Sequence, residues 1–101
     1  FGPVIVTRDE IPDPHDLMLT TTVNGEQVQQ ASTSLMIHKI PDLIAYISQA
    51  FTLESGDVIL TGTPAGVGKG MKPPRFLKTG DVVAVSISGI GTISNVCHVE
   101  D

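Results

Sequence analysis

Two threonines flank a single glycine at Thr61-Gly62-Thr63, where a short apolar run empties into a loop that also holds Pro64, Gly66 and Gly68. At the end of an extended run, residues two apart point to the same side, so both hydroxyls can face one pocket. Glycine lets backbone approach a ligand closely and take positive φ, and Pro64 fixes the turn after Thr63. A hydroxyl delivered into such a loop is suited to donating a hydrogen bond to a bound acid. The spacing supports a second reading equally well, in which Thr61 and Thr63 satisfy backbone groups of their own turn.

Rival chemistries fail on spacing. A phosphate-binding P-loop requires Gly-x-x-x-x-Gly-Lys-Ser/Thr; here Thr63 stands five positions before Gly68-Lys69, and Gly70 replaces the magnesium-binding hydroxyl. Gly62, Gly66 and Gly68 do not form the dinucleotide fingerprint Gly-x-Gly-x-x-Gly. No Gly-x-Ser-x-Gly elbow occurs, and His15, His38 and His98 show neither relay nor metal-ligand spacing. His38 and His98 have apolar flanks and read as structural; His15 lies in a loop and reads as solvated. The carboxylate pairs Asp9/Glu10 and Asp13/Asp16 offer oxygen ligands of the kind a hard cation takes, but in a proline-punctuated loop they read first as solvated acids.

Composition narrows the field. The 101 residues fit one domain or less and carry a net charge of −5, with 41% apolar and 4% aromatic residues. Without a basic surplus, nucleic-acid binding is disfavoured. Lys69, Lys72, Arg75 and Lys78 nevertheless place four of the six basic residues within ten positions. They read as a solvated loop, since Pro73 and Pro74 forbid a helix, or alternatively as a positive mouth for anionic substrates. Cys97 is alone, which excludes an internal disulfide. No apolar run reaches membrane-spanning length and no signal-peptide pattern opens the chain, so the expected location is the cytoplasm. The opening Phe1-Gly2-Pro3 is expected to belong to a longer polypeptide.

The elements that would position the threonines are legible as patterns. Residues 4–6 read as a strand and are followed by an acidic loop over 9–16. Segments 17–23 and 27–31 flank Asn24-Gly25, the strongest short hairpin signal. Residues 41–51 read as the one substantial helix, with Leu43, Ile44, Ile47, Ala50 and Phe51 on a face expected to pack on a sheet. The stretch 53–59 is echoed at 77–83, each with a Gly-Asp turn before an apolar run, so Asp57 and Asp81 read as turn formers. Residues 58–60 read as the strand entering the threonine loop, and 82–87 and 92–99 as strands joined by Gly89-Ile90-Gly91. The fold class is α+β, dominated by strands.

Taken in order, these segments resemble the C-terminal part of the fumarylacetoacetate hydrolase superfamily over nearly the whole chain. The resemblance is carried by Gly2-Pro3 with Asp9-Glu10-Ile11-Pro12-Asp13, by Asn24-Gly25-Glu26 with Gln29/Gln30, by the helix around Ile44 to Ser48, by Thr61-Gly62-Thr63-Pro64-Ala65-Gly66, and by Gly89-Ile90-Gly91-Thr92. Ser32 departs from the asparagine often found there.

The resemblance implies a mixed β-sandwich roll, one catalytic domain of which residues 1–101 are the C-terminal part, and usually a homodimer. It implies a divalent cation, Mg²⁺ or Mn²⁺, chelated by a 2-oxo acid whose enolate-like charge it stabilises. The first expectation is hydrolysis of C–C bonds in acylpyruvate- or fumarylacetoacetate-type substrates, as in the catabolism of aromatic compounds. The alternatives are decarboxylation or keto–enol isomerisation of oxaloacetate- or 2-hydroxyhepta-2,4-diene-1,7-dioate-type acids, or a non-catalytic β-rich assembly module. Thr63, with Gly62 and Thr61, is implied as the substrate-acid contact. The family's Glu-x-Glu pair, further aspartate and catalytic lysine precede its glycine–proline segment. No metal or catalytic residue is therefore expected in this chain, and its partners are the oxo acid and the remainder of the same polypeptide. The 101 residues alone are expected to be inactive.

Overall fold

The computed structural model describes residues 2–100; Phe1, on which the expectation of a longer polypeptide partly rests, and Asp101 lie outside the described residues. Strand β1 (Met18–Val23) and strand β2 (Glu26–Ser32) form the expected hairpin. Asn24 and Gly25 take φ of 51° and 80°, the left-handed pair that a type I′ turn demands. Helix α1 (Ile40–Ala50) follows, and strands β3 (Val82–Ile87) and β4 (Gly91–Val96) close the chain as a second hairpin. The sheet order is β2-β1-β3-β4 with antiparallel pairing throughout. The strand-dominated α+β class read from the sequence is the one observed.

Register sorts the side chains. Leu19 lies opposite Ala31 and Ile87, Thr21 opposite Gln29 and Val85, and Val23 opposite Val83. Because side chains alternate across a strand, these residues share one face with Ile93, while Thr20, Thr22, Ser86 and Thr92 share the other. The Ser86 and Thr92 hydroxyls meet there at 2.6 Å. Between Thr21 and Thr22 the pairing jumps from Gln29 to Gln27, leaving Val28 as a bulge.

The core is thin. Thr21 and Val23, each 7% exposed, are the buried residues at its centre. The radius of gyration, 15.6 Å, exceeds the roughly 13 Å typical of a compact 100-residue domain. Three expectations are corrected accordingly. Residues 4–6 and 58–60 are not in strands, and Val4, Ile5, Val58 and Leu60 are exposed. An extended run becomes a strand only where a neighbour completes its hydrogen-bond ladder, and the described residues supply none. The apolar face of α1 is only partly covered: Leu43 and Ile47 are half-buried, but Ile44, Ala50 and Phe51 are exposed. Strand β4 ends at Val96 rather than Val99, because Cys97 instead exchanges backbone bonds with Asp81 and Gly80, and the Val99 N–H donates to Thr79 Oγ1.

The two Gly-Asp turns match. Asp57 Oδ2 accepts from the Glu54 N–H at 2.8 Å, and Asp81 Oδ2 accepts from the Lys78 N–H at 2.9 Å. Both aspartates are the turn formers the echo implies.

Candidate functional site

The threonine loop is held against strand β2 at the bulge. A Cβ on Gly66 would collide with the Val28 carbonyl oxygen and lie 2.9 Å from Gln29 Cγ, so only glycine allows this approach. Here the loop is captured by one side chain. Gln29 Nε2 donates to Thr63 Oγ1 at 3.0 Å and to the Pro64 carbonyl at 3.0 Å. Farther on, Gly68 accepts from the Arg75 N–H at 2.9 Å, which closes the proline-rich segment back on the loop.

Together these contacts shape a cleft of about 560 Å³. One wall is the loop itself, with Thr61, Gly62, Thr63, Pro64 and Ala65. The other is built from the end of β2, the 3-10 turn Thr33–Leu35 and the segment to His38, with Leu19 and Leu43. Ser32 supports that turn: its hydroxyl accepts from the Ser34 N–H at 3.1 Å, doing locally what asparagine would do. Thr33 Oγ1 accepts from the Leu17 N–H at 3.0 Å and ties the turn to β1. The cleft is thus mostly apolar, with hydroxyl residues on both walls, Thr61 and Thr63 on the loop and Ser32 and Thr33 opposite. That distribution suits a small acid whose carboxylate is met by neutral donors.

The remaining sequence candidates fall elsewhere. His15 is not solvated: its side chain is 19% exposed and Nε2 accepts from the Ile40 N–H at 3.1 Å. Helix starts leave N–H groups without partners, and Lys39 at the N-cap supplies no side-chain bond, so His15 takes that place. Conversely, His38 and His98 are exposed rather than structural, although His38 borders the cleft. Asp13 Oδ1 accepts from the His15 N–H at 2.9 Å, and a bond from Thr7, then one from its own backbone, hold the Asp9 carboxyl below the usual range. Among the described residues no group of three or more His, Cys, Asp or Glu side chains converges as a metal site would require. Lys72, Arg75 and Lys78 line a separate, shallower concavity, and Arg75 pairs with Glu26 at 2.8 Å. Among the described residues no helix is long and apolar enough to cross a membrane.

Gln29 is the residue that motif reasoning left without a role. Its signal was present: Gln29-Gln30 interrupts the alternation of β2, as a bulge does.

Residues 1–98 match the family model described as fumarylacetoacetate (FAA) hydrolase C-terminal. The chain belongs to this family. Over 95 residues it is 52% identical to oxaloacetate tautomerase YisK of Bacillus subtilis, covering 94% of this chain and 32% of that protein. Rat mitochondrial oxaloacetate tautomerase Fahd2a is 53% identical over the same length, with 94% and 30% covered. Among solved structures, the fumarylacetoacetate hydrolase of Exiguobacterium antarcticum superposes with a TM-score of 0.92 at 55% identity, covering 95% of this chain and 34% of that one. Maleylpyruvate hydrolase of Sphingobium sp. SYK-6, in complex with manganese(II) and pyruvate, gives a TM-score of 0.84 at 37% identity, with 94% and 33% covered. The fumarylacetoacetate hydrolase-family chain therefore spans about a third of the length of the curated relatives it matches. Tautomerases at 52–53% identity support the isomerising alternative better than the first expectation of C–C hydrolysis.

Proposed function

We propose that this chain forms the acid-binding wall of a fumarylacetoacetate hydrolase-family enzyme that interconverts the keto and enol forms of a small 2-oxo acid, with oxaloacetate the first candidate. The observation that carries the reading is the placement of Thr63, an exposed residue on the wall of the 560 Å³ cleft whose hydroxyl oxygen is anchored by Gln29. The names of the two tautomerase relatives support the choice of reaction.

Keto–enol exchange moves a proton between carbon and oxygen without breaking the carbon skeleton. The chain's task is therefore to hold the acid still: Thr63 donates to the carboxylate, and Leu19, Ala31 and Leu43 give the cleft an apolar lining. A divalent cation, Mg²⁺ or Mn²⁺, belongs to the reading, supported by the manganese and pyruvate in the Sphingobium hydrolase. The residues of this chain do not fit a cation centre, because His38 is the only histidine, cysteine or carboxylate residue on the described cleft wall. Its ligands, and the catalytic lysine that the family resemblance implies, are assigned to the part of the relatives that this chain does not cover.

The test follows the ultraviolet absorbance of enol-oxaloacetate with Mg²⁺ and the intact polypeptide that carries these residues. Accelerated loss of the enol is expected, reduced roughly ten- to a hundredfold in Thr63→Val, the range for a hydrogen bond to a charged group. A rate unchanged by Thr63→Val, or no acceleration at all, overturns the proposal. Release of pyruvate from an acylpyruvate instead of enol loss would put hydrolysis first, the reading favoured by the names of the two solved hydrolases.

A further inference from the structure

The donor arrangement behind Thr63 has one consistent solution. A proline carbonyl only accepts, so the Gln29 carboxamide must turn its nitrogen, not its oxygen, toward the loop. Its two hydrogens are then committed, one to Pro64 and one to Thr63 Oγ1. Because Oγ1 already receives a hydrogen, the hydroxyl's own proton must be donated elsewhere. Among the described residues no protein acceptor takes it, and Thr63 lines the cleft.

We infer that Gln29 is a positioning residue for acid recognition, holding Thr63 as a donor toward a carboxylate and selecting against neutral groups that would need an acceptor there. The inference rests on the reading of Thr63 as the acid contact. Its physical support is the bulge at Val28, which sets Gln29 opposite the buried Thr21 while Gly66 presses on the Val28 carbonyl and the Gln29 stem. A half-buried carboxamide wedged between strand and loop has little freedom to turn away. Bulges serve this purpose elsewhere, aiming one side chain out of the regular pleat.

Gln29→Glu tests the polarity at nearly the same side-chain volume, at the cost of the Pro64 bond, which a carboxylate cannot make. The carboxylate accepts, so it draws the Thr63 proton away from the cleft and leaves an oxygen lone pair facing the ligand. Binding of pyruvate and of its neutral amide, pyruvamide, is measured by calorimetry with Mn²⁺ on the intact polypeptide, with melting curves to check folding. Pyruvate affinity is expected to fall roughly tenfold in Gln29→Glu while pyruvamide affinity holds or rises, so the selectivity between them collapses. In a Thr63→Val background the same change is expected to cost clearly less, leaving only the repulsion between the new charge and the ligand carboxylate. Equal losses for both ligands, or losses that add in full to those of Thr63→Val, would overturn the inference and leave Gln29 a packing residue. If Gln29→Glu does not fold, Gln29→Leu carries the test through the same cycle. There the expectation is a pyruvate loss of a few fold that vanishes in Thr63→Val, and an unchanged affinity overturns it. Wild-type pyruvate binding in Thr63→Val alone would sink the acid-contact reading itself, an outcome distinct from failure of the Gln29 step.

Discussion

Asn24 and Asp81, 57 positions apart, join the two hairpins at the open end of the sheet: Asn24 Nδ2 donates to Asp81 Oδ1 at 2.9 Å. The same asparagine accepts from the Val82 N–H through Oδ1 at 2.8 Å and donates its own N–H to the Val82 carbonyl at 2.8 Å. One residue thus serves as the left-handed corner of the first hairpin and as a clasp on the second. Asn24→Gly separates these roles, since glycine keeps the positive φ and loses only the side chain. It is expected to lower the melting temperature by several degrees without changing the β content, read by circular dichroism. An unchanged melting temperature would show that the clasp adds nothing to the turn.

The Asp81 carboxyl is held below the ordinary aspartate range first by the Asn24 amide and then by the Lys78 N–H, with smaller help from the charges of Arg75 and Lys78. A carboxyl lowered in the folded state binds fewer protons folded than unfolded. Its contribution is therefore complete above the unfolded value of about 3.9 and is lost as pH falls below it toward the folded value. Asp9 shifts in the same direction, through Thr7. Urea midpoints measured between neutral pH and pH 3 are expected to drop on the acid side, and less steeply in Asn24→Gly, which removes the largest cause. Equal slopes in the two proteins would refute the assignment.

His15 supplies the hydrogen-bond acceptor that helix α1 lacks at its own N-cap. Replacing it by alanine leaves the Ile40 N–H without that partner, a loss comparable to removing a capping side chain, about 1 kcal/mol. Hydrogen exchange should localise the effect, with faster exchange at Ile40 and the first turn of α1 and no change in β1 to β4. Faster exchange spread over the sheet would mean that His15 supports the fold as a whole.

What the sequence disclosed was whatever its chemistry settled within a few residues. Asn24-Gly25 encodes its turn by backbone preference, and Asp57 and Asp81 encode theirs by bonding three residues back. Periodicity located α1 to within a residue, because amphipathic spacing records a helix whether or not its partner surface is in the chain. Residues 58–60 show the opposite case: an apolar run states readiness to pair, and among the described residues no strand pairs with it. The anchoring of the threonine loop was hidden for a related reason. Thr63 and Gln29 lie 34 positions apart, and the bond between them exists only because a bulge and a glycine bring strand and loop into contact. His15 was misread likewise, since its partner lies 25 residues downstream.

Gly62 and Gly66 belong to one loop and both take positive φ, 99° and 108°, yet they face different surroundings. At Gly62 an added Cβ meets nothing within 4 Å, so Gly62→Ala should cost only backbone strain, about 1–3 kcal/mol. At Gly66 the same methyl adds a collision with the Val28 carbonyl, which belongs to a strand and cannot swing aside as a flexible side chain would. The loop would have to lift from β2, and Gln29 would lose its reach to Thr63 and Pro64. Gly66→Ala is therefore expected to destabilise the protein more than Gly62→Ala in urea, and to weaken pyruvate binding as Gln29→Leu does. Equal stability losses at the two positions would mean that the loop does not depend on its seat against the bulge.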